Sequence, residues 1–512
     1  MAHQSDVPNY MWQRIDGKLL LLLMLGLVGA LTILYSTKWG IGIGSDSVGY
    51  LGGAESLLRG QGYSHLTGMG DLKPTNQWPP LYSVALTPLG FVGLGIPEAA
   101  RWLNALLFGI NISLVGYIVY RQTAFWPAVI ASVLILSSVG LIRLHAMAYS
   151  EPLYFFLGLT GLYFLDKYIN TSKTYPLIIS ALLIGAATLT RNIGVTLIVT
   201  LCMSILIFSK RSLIHRLVDC FIAGAISSLL YLLFVIRNVF VLDQLVVYKM
   251  PPARLMTAGQ ISEGLNTISL WFLPDNLSFG SRELILVAVV LVMLVTMAWF
   301  RSIASSFWWL NVIYVFVYCL GLSLAIIFLD PRIPYDFRYL SPVLVSVVII
   351  LTLAIYRISL RAGRWVGTGV SVFCVLFLLS YVQRSVLVVK DIRQNGQGWE
   401  KPVWSKSKII SLVKNLPGDV WIYSTNPNPM RFLSHRNMRE LPWKFDQYTL
   451  KPSPDYFRTI EEIGATSPNQ RILILYVNGQ PPAFMSVADL KKDLTFKEIE
   501  TEPQGSLFEV FH

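Results

Sequence analysis

The stretch LLLLLMLGLVGALTILYST, residues 19–37, decides the fold. It carries no charge, and it is about as long as a helix must be to cross a hydrocarbon core roughly 30 Å thick. Similar apolar runs recur down the chain. Windows of about 20 residues place about eleven spans, at 19–37, 101–120, 125–144, 152–165, 176–190, 194–208, 217–236, 283–300, 307–329, 339–356 and 365–382. The runs are continuous rather than alternating, which excludes a membrane β-barrel. With 54% hydrophobic and only 14% charged residues, the composition excludes an ordinary soluble protein. The expected fold class is a polytopic α-helical membrane protein with a small C-terminal extracytoplasmic α/β domain.

The net charge of +12 would point to nucleic acid in a soluble chain. Here the basic residues sit in short loops between spans, so membrane lipids are the expected surroundings and nucleic acid is not. With Arg14 and Lys18 in the cytoplasm, the basic loops at Arg121, Lys167 and Lys173, Lys210 to Arg216, Arg301, and Arg357 to Arg364 all fall on the same side. An odd number of spans then puts the C-terminus outside. The first apolar run lacks a small-residue cleavage pattern and reads as an anchor. The expected location is a bacterial plasma membrane. Cys202, Cys220, Cys319 and Cys374 all lie in apolar runs without metal-ligand spacing, so neither a disulfide framework nor a zinc site is expected.

Two units follow: residues 1–382 as the transmembrane part, with a large first external loop at 38–100, and residues 383–512 as the soluble part. In the second unit DVWIYST and RILILYV read as short buried strands. SKSKIISLVKNL and SPDYFRTIEEIG read as helices, with Ser453 as a cap. The piece LYSVALTPLGFVGLGIP in the first loop is broken by Pro88 and Pro97, and it reads as an interfacial or re-entrant element.

Polar residues gather at the expected outer boundary. Asp46 follows the first span. His145, Ser150 and Glu151 sit in RLHAMAYSEPLY, and Arg191 and Asn192 in TRNIG. Arg237 and Asn238 end the seventh span, and Arg332, Asp336 and Arg338 precede Tyr339. Ionisable groups at membrane depth are costly and mark function by default. Arginines can grip the phosphate of a lipid, and a carboxylate beside them can take a proton from an incoming hydroxyl or amine. Each residue also has a bland reading. Asp46 lies where a helix cap would, between Ser45 and Ser47. Glu151 stands at a helix start before Pro152, Arg191 could pair with a structural carboxylate, and Arg338 could be an interfacial anchor.

Several of these pieces together resemble the GT-C class of integral-membrane glycosyltransferases, among them bacterial relatives of protein O-mannosyltransferases and the lipid A aminoarabinose transferase. The pieces are Asp46 with Tyr50 four residues on, the turn Gly60-Gln61-Gly62-Tyr63, and Pro79-Pro80-Leu81-Tyr82. YSEPLYFFLGLTGLYF, LTRNIG and FRYLSPVL follow in the same order. The resemblance implies a polyprenyl-phosphate-linked sugar as donor, inversion at the anomeric carbon, and Asp46 as the catalytic carboxylate. It implies a donor-phosphate site of arginines, matched best by Arg191 and Arg338, with Arg237 beside them. Tyr50, Tyr82, His145, Asn192 and Tyr339 are then expected around the substrate. Many relatives carry Asp-Glu where this chain has Asp46-Ser47, so Glu151 becomes the candidate second carboxylate. The acceptor stays open among a lipid, a glycan and a protein. No metal ligand is assigned and a divalent metal is left open. A flippase or transporter of lipid-linked glycans, a polymerase or ligase, and a non-catalytic scaffold are the competing functions.

Overall fold

The computed structural model describes residues 17–241, 255–273, 277–278, 280–285, 287, 305–330, 333–361, 364–445, 451–467, 469–478 and 485–511. The first helix, α1 (Gly17–Ser36), packs against α4 (Ile96–Gln122). The two touch through glycines: a Cβ on Gly26 would lie 2.5 Å from the Gly109 carbonyl oxygen, and one on Gly109 would lie 2.6 Å from that of Gly26. Small residues let helix backbones close in lipid, where no hydrophobic drive holds them together.

Between these two helices the first loop is ordered. It holds α2 (Ser45–Leu58), an antiparallel hairpin of β1 (Ser64–Leu66) and β2 (Leu72–Pro74), and α3 (Leu81–Phe91). The interfacial element expected there is therefore helical from Leu81 to Phe91, with Pro88 inside it.

The expected span at 125–144 is two helices, α5 (Phe125–Leu136) and α6 (Val139–His145), meeting at 59°. The cause is the buried pair Ser137-Ser138. Ser138 caps the second helix by accepting from the Leu141 amide, and so competes with the helical ladder. Next come α7 (Glu151–Thr171), α8 (Thr174–Thr188), α9 (Val195–Phe208) and α10 (Leu213–Ile236), packed in sequence, then α11 (Ala258–Phe272), α12 (Ser306–Phe328), α13 (Phe337–Ser359) and α14 (Arg364–Asn395).

Five helices among the described residues are long and apolar enough to span a membrane, or six if the bent pair is one span. Thr174–Thr188 and Asn192–Phe208 are apolar but shorter. Most of the span expected at 283–300 lies outside the described residues, as do Arg14, Arg301 and Arg332. The chain is an integral membrane protein of apolar helices.

Beyond Asn395 the chain forms a five-stranded sheet in the order β4-β3-β5-β7-β6. β3 (Trp421–Ser424) runs parallel to both β4 (Arg439–Glu440) and β5 (Ile472–Val477); β6 (Phe496–Glu502) and β7 (Gly505–Val510) join antiparallel. β5, ILILYV, is buried at every residue, as a strand covered on both faces must be. Its odd and even residues feed two apolar clusters, both separate from the one among the membrane helices. The helix Lys408–Lys414 is capped by Ser407, whose Oγ accepts from the Ile410 amide, whereas Ser453 stands at the cap of Pro454–Gly464 without a side-chain bond.

Candidate active site

Four charged groups from distant parts of the chain meet at one end of the bundle. Asp46 is in the first turn of α2, Glu151 is the first residue of α7, Arg191 immediately precedes the 3₁₀ turn Asn192–Gly194, and Arg338 is in the first turn of α13. The carboxylates sit at helix N-termini, where the helix dipole favours them. Arg338 sits against its own dipole, so carboxylates must hold it there. Asp336 helps by capping α13, its Oδ1 accepting from the Tyr339 amide at 3.1 Å.

Arg338 bridges the two acids. Its Nη2 donates to Asp46 Oδ2 at 2.6 Å and its Nε to Glu151 Oε1 at 2.5 Å. Arg191 pairs with the same Glu151 oxygen. Side-chain exposure rises from 0% at Glu151 through 10% at Arg191 and 17% at Arg338 to 28% at Asp46. Asp46 is thus the carboxylate an external molecule can reach, and Glu151 the buried anchor. The second oxygen of Glu151, Oε2, is buried with no hydrogen-bond partner among the described residues.

Aromatic rings wall the cluster. The Tyr149 ring lies 4.0 Å from the Arg338 guanidinium carbon, and the Tyr339 ring 5.6 Å from that of Arg338 and 5.8 Å from that of Arg191. Tyr50 accepts a hydrogen bond from Ser150 Oγ at 2.9 Å and meets Tyr82 edge-on; the Tyr82 hydroxyl donates to Asn104 at 3.0 Å. Trp78 stands beside the Asp46 carboxylate and helps to hold it charged. Gly49 makes room for that approach, since a Cβ there would lie 2.4 Å from the Trp78 ring.

Asp46 is not the helix cap. That position is Gly44, whose amide donates to Ser47 Oγ at 3.0 Å. Two influences oppose each other at the Asp46 carboxyl. Burial does push the carboxyl up, but the Arg338 charge and hydrogen bond, with Trp78, outweigh it and hold it below its ordinary value.

Not every expected residue joins the cluster. Arg237 donates to the backbone carbonyls of Thr75 at 2.9 Å and Tyr63 at 3.0 Å, so it ties down the first loop. His145 is buried against Phe108, its Nδ1 2.7 Å from the Leu141 carbonyl oxygen. Asn192 is at the surface, accepting from Tyr231 at 3.1 Å and donating to the Gln77 carbonyl. Trp78 and Tyr149 were missed as site residues. Their signal was position: an indole after a Gly-rich turn, and a ring two residues before Glu151.

Among the described residues no group of three or more His, Cys, Asp or Glu side chains gathers as a metal centre requires. Asp46 and Glu151 share Arg338, and neither has a second acidic or imidazole neighbour set of that kind among the described residues.

No protein-family model matches the sequence, and no curated protein matches it in sequence. Solved structures are similar in fold. ArnT from Cupriavidus metallidurans bound to undecaprenyl phosphate aligns with a TM-score of 0.57 at 13% identity, over 97% of this chain and 98% of that one. The apo state of the same protein gives 0.59, over 96% and 98%. The oligosaccharyltransferase AglB from Archaeoglobus fulgidus, in complex with an inhibitory peptide and a dolichol-phosphate, gives 0.54 at 11% identity, over 89% and 69%. The chain has the GT-C fold. The motifs behind the resemblance lie in about the first 380 residues; the likeness in fold reaches further, over 97% of the chain, and so into the sheet beyond Asn395.

Proposed function

We propose that the protein is a glycosyltransferase that moves a sugar from a polyprenyl-phosphate-linked donor to an acceptor on the non-cytoplasmic side of the membrane, with inversion. One observation carries this reading: Arg338 links an accessible carboxylate, Asp46, to a buried one, Glu151, at the end of a fold of which one solved example is bound to undecaprenyl phosphate and another to a dolichol-phosphate.

The chemistry divides among the four groups. The acceptor O–H or N–H attacks the anomeric carbon, and its proton passes to the Asp46 carboxylate. The bond from the anomeric carbon to the phosphate oxygen breaks, and the polyprenyl phosphate leaves with the electron pair. Arg338 and Arg191 offset the charge growing on that oxygen, in a partly buried site where such charges act strongly. Glu151 does not touch substrate; it fixes both guanidinium groups in place. We place the N-terminus in the cytoplasm and the sheet domain outside, a reading that the basic residues Arg121, Lys167, Lys173 and Lys210 to Arg216 support.

The test is Asp46→Asn in reconstituted protein, assayed with a panel of polyprenyl-phosphate sugars. The expected result is retained donor binding with turnover reduced by about 10²–10⁴-fold, the range for losing a general base. Equal turnover in both proteins would remove Asp46 from the chemistry, and turnover in neither would favour lipid translocation instead.

A further inference from the structure

Asp46 sits one turn past a short extended segment that three parts of the chain hold together. Gly42 donates to the Ala146 carbonyl at 2.8 Å, and the Ala148 amide returns to the Gly42 carbonyl at 2.8 Å. Ile43 pairs on the other side with Gly398, and the Trp399 amide donates to the Ile43 carbonyl at 2.9 Å. Ile43 has no exposed surface. The segment leading into α2 is therefore the middle strand of a three-way stitch. Residues 146–148, one side of it, lead directly to Glu151. Residues 397–399, the other side, lead from the last helix into the sheet domain.

The fit at Gly398 is tight and depends on glycine. Its φ is +56°, a left-handed conformation that side chains disfavour, and a Cβ would lie 2.1 Å from the Ile43 carbonyl oxygen. That neighbour is backbone and cannot turn aside. A second grip lies at the far end of the same loop. The Met438 amide donates to the Gly68 carbonyl at 2.7 Å, and a Cβ on Gly68 would lie 2.5 Å from Pro427. Helix α2 thus runs between two places where the sheet domain and its linker hold the first loop.

We propose that Gly398 and Gly68 are positioning residues for Asp46. Through them the C-terminal domain sets the distance between the α2 carboxylate and Arg338, so the domain is part of the catalytic machinery rather than a cover. Residues 146–148 fix Glu151 and Ile43 in one frame, and Gly398 completes it from the domain side. This rests on the reading of Asp46 as the catalytic carboxylate, but its geometric part can be tested without turnover.

The experiment compares Gly398→Ala, Gly68→Ala and the control Gly418→Ala, where a Cβ meets nothing within 4 Å. Amide hydrogen exchange is read in full-length protein in nanodiscs, alongside kcat and KM. The expected result for Gly398→Ala is faster exchange at residues 43–50, unchanged exchange in α8 and α9, and kcat reduced about 10-fold or more at unchanged KM. Its rate profile should also shift to higher pH on the acid side, because the pair with Arg338 is loosened. Gly68→Ala should give the same pattern more weakly, and it carries the test if Gly398→Ala does not fold. Unchanged exchange at residues 43–50 in either folded variant overturns the proposal. So does a loss of kcat without a change in the pH profile. If wild type turns over no donor while exchange responds as expected, the functional reading fails and the stitch stands.

Discussion

Glu151→Gln is the most informative single change. It keeps the size of the side chain and removes the charge that two arginines share. Glu151 has no exposed side-chain surface, and Arg338 Nε meets it at 2.5 Å. Removing one partner of a buried pair costs about 3–5 kcal/mol, because the remaining charges stay buried without compensation. The internal control is Asp391→Asn. Asp391 pairs with Arg143 at 3.6 Å, with side chains 51% and 53% exposed, and such pairs are worth about 0–1 kcal/mol. The site of two arginines and two carboxylates is formally neutral; Glu151→Gln makes it +1. At ~6 Å and an effective dielectric near 20, one unit charge changes the energy of a bound phosphate by ~3 kcal/mol, roughly 100-fold in Kd. The variant should therefore lose thermal half-life in nanodiscs well beyond Asp391→Asn, bind polyprenyl phosphate more tightly, and turn over more slowly because both guanidinium groups have lost their anchor. Added polyprenyl phosphate should recover part of the lost half-life by mass action. Unchanged phosphate binding, or a half-life like that of the control, would refute the assignment of Glu151 as the anchor of a phosphate site.

The remaining expectations are smaller. Because Arg338 holds the Asp46 carboxyl below its ordinary value of 3.8, wild-type kcat/KM should show no acid limb from this group down to about pH 5. The pair's contribution to stability should be complete above the ordinary carboxylate value and fade as pH falls through the lowered one. In Arg338→Met burial acts unopposed by that charge, so the acid limb of the residual rate should move to higher pH. Trp78→Phe keeps the ring beside Gly49 and removes the N–H, and it should cost about 1.5–3 kcal/mol of support to the charged carboxylate. It reads as a lower kcat, an acid limb at higher pH and little change in KM. Arg237→Met should leave polyprenyl-phosphate affinity within about two-fold, and it should speed amide exchange at residues 63–76, where its two carbonyl partners lie. A large loss of affinity there would return Arg237 to the phosphate site.

The membrane class was legible because a hydrocarbon core imposes one length and one composition on everything that crosses it. Helix caps were less legible: Ser453 reads as a cap yet makes no side-chain bond, while Ser407 and Asp336, not read as caps, accept from the Ile410 and Tyr339 amides. The bend at Ser137-Ser138 was not, because an apolar window averages over two serines whose hydroxyls matter only through their bonding. The sheet beyond Asn395 was readable at β5, where the whole strand is apolar, and unreadable at β6, FKEIETE, which is mostly exposed and pairs on one side only.

The site was legible as a set of residue types and not as a circuit. Chain order lists Asp46, Glu151, Arg191 and Arg338 as separate boundary charges, each with a structural explanation that costs little. Their meaning lies in pairings that span up to 292 positions of sequence. Arg338 is the case in point. In the sequence it is a cation suited to a lipid phosphate; in the structure it is already spent on two carboxylates. Those readings agree if the donor phosphate competes for the same guanidinium. A phosphate drawing Arg338 Nη2 away from Asp46 removes the charge that holds the carboxyl low, while burial still pushes it up. Asp46 then becomes a stronger base when the leaving group is in place. The depressed pKa of the free protein, which first counted against Asp46 as a base, becomes a reason why it is one only with donor bound. Measured against polyprenyl phosphate, the Asp46 carboxyl stretch should then titrate at higher pH in the complex than in the free protein, and an unchanged or lower value would break the link.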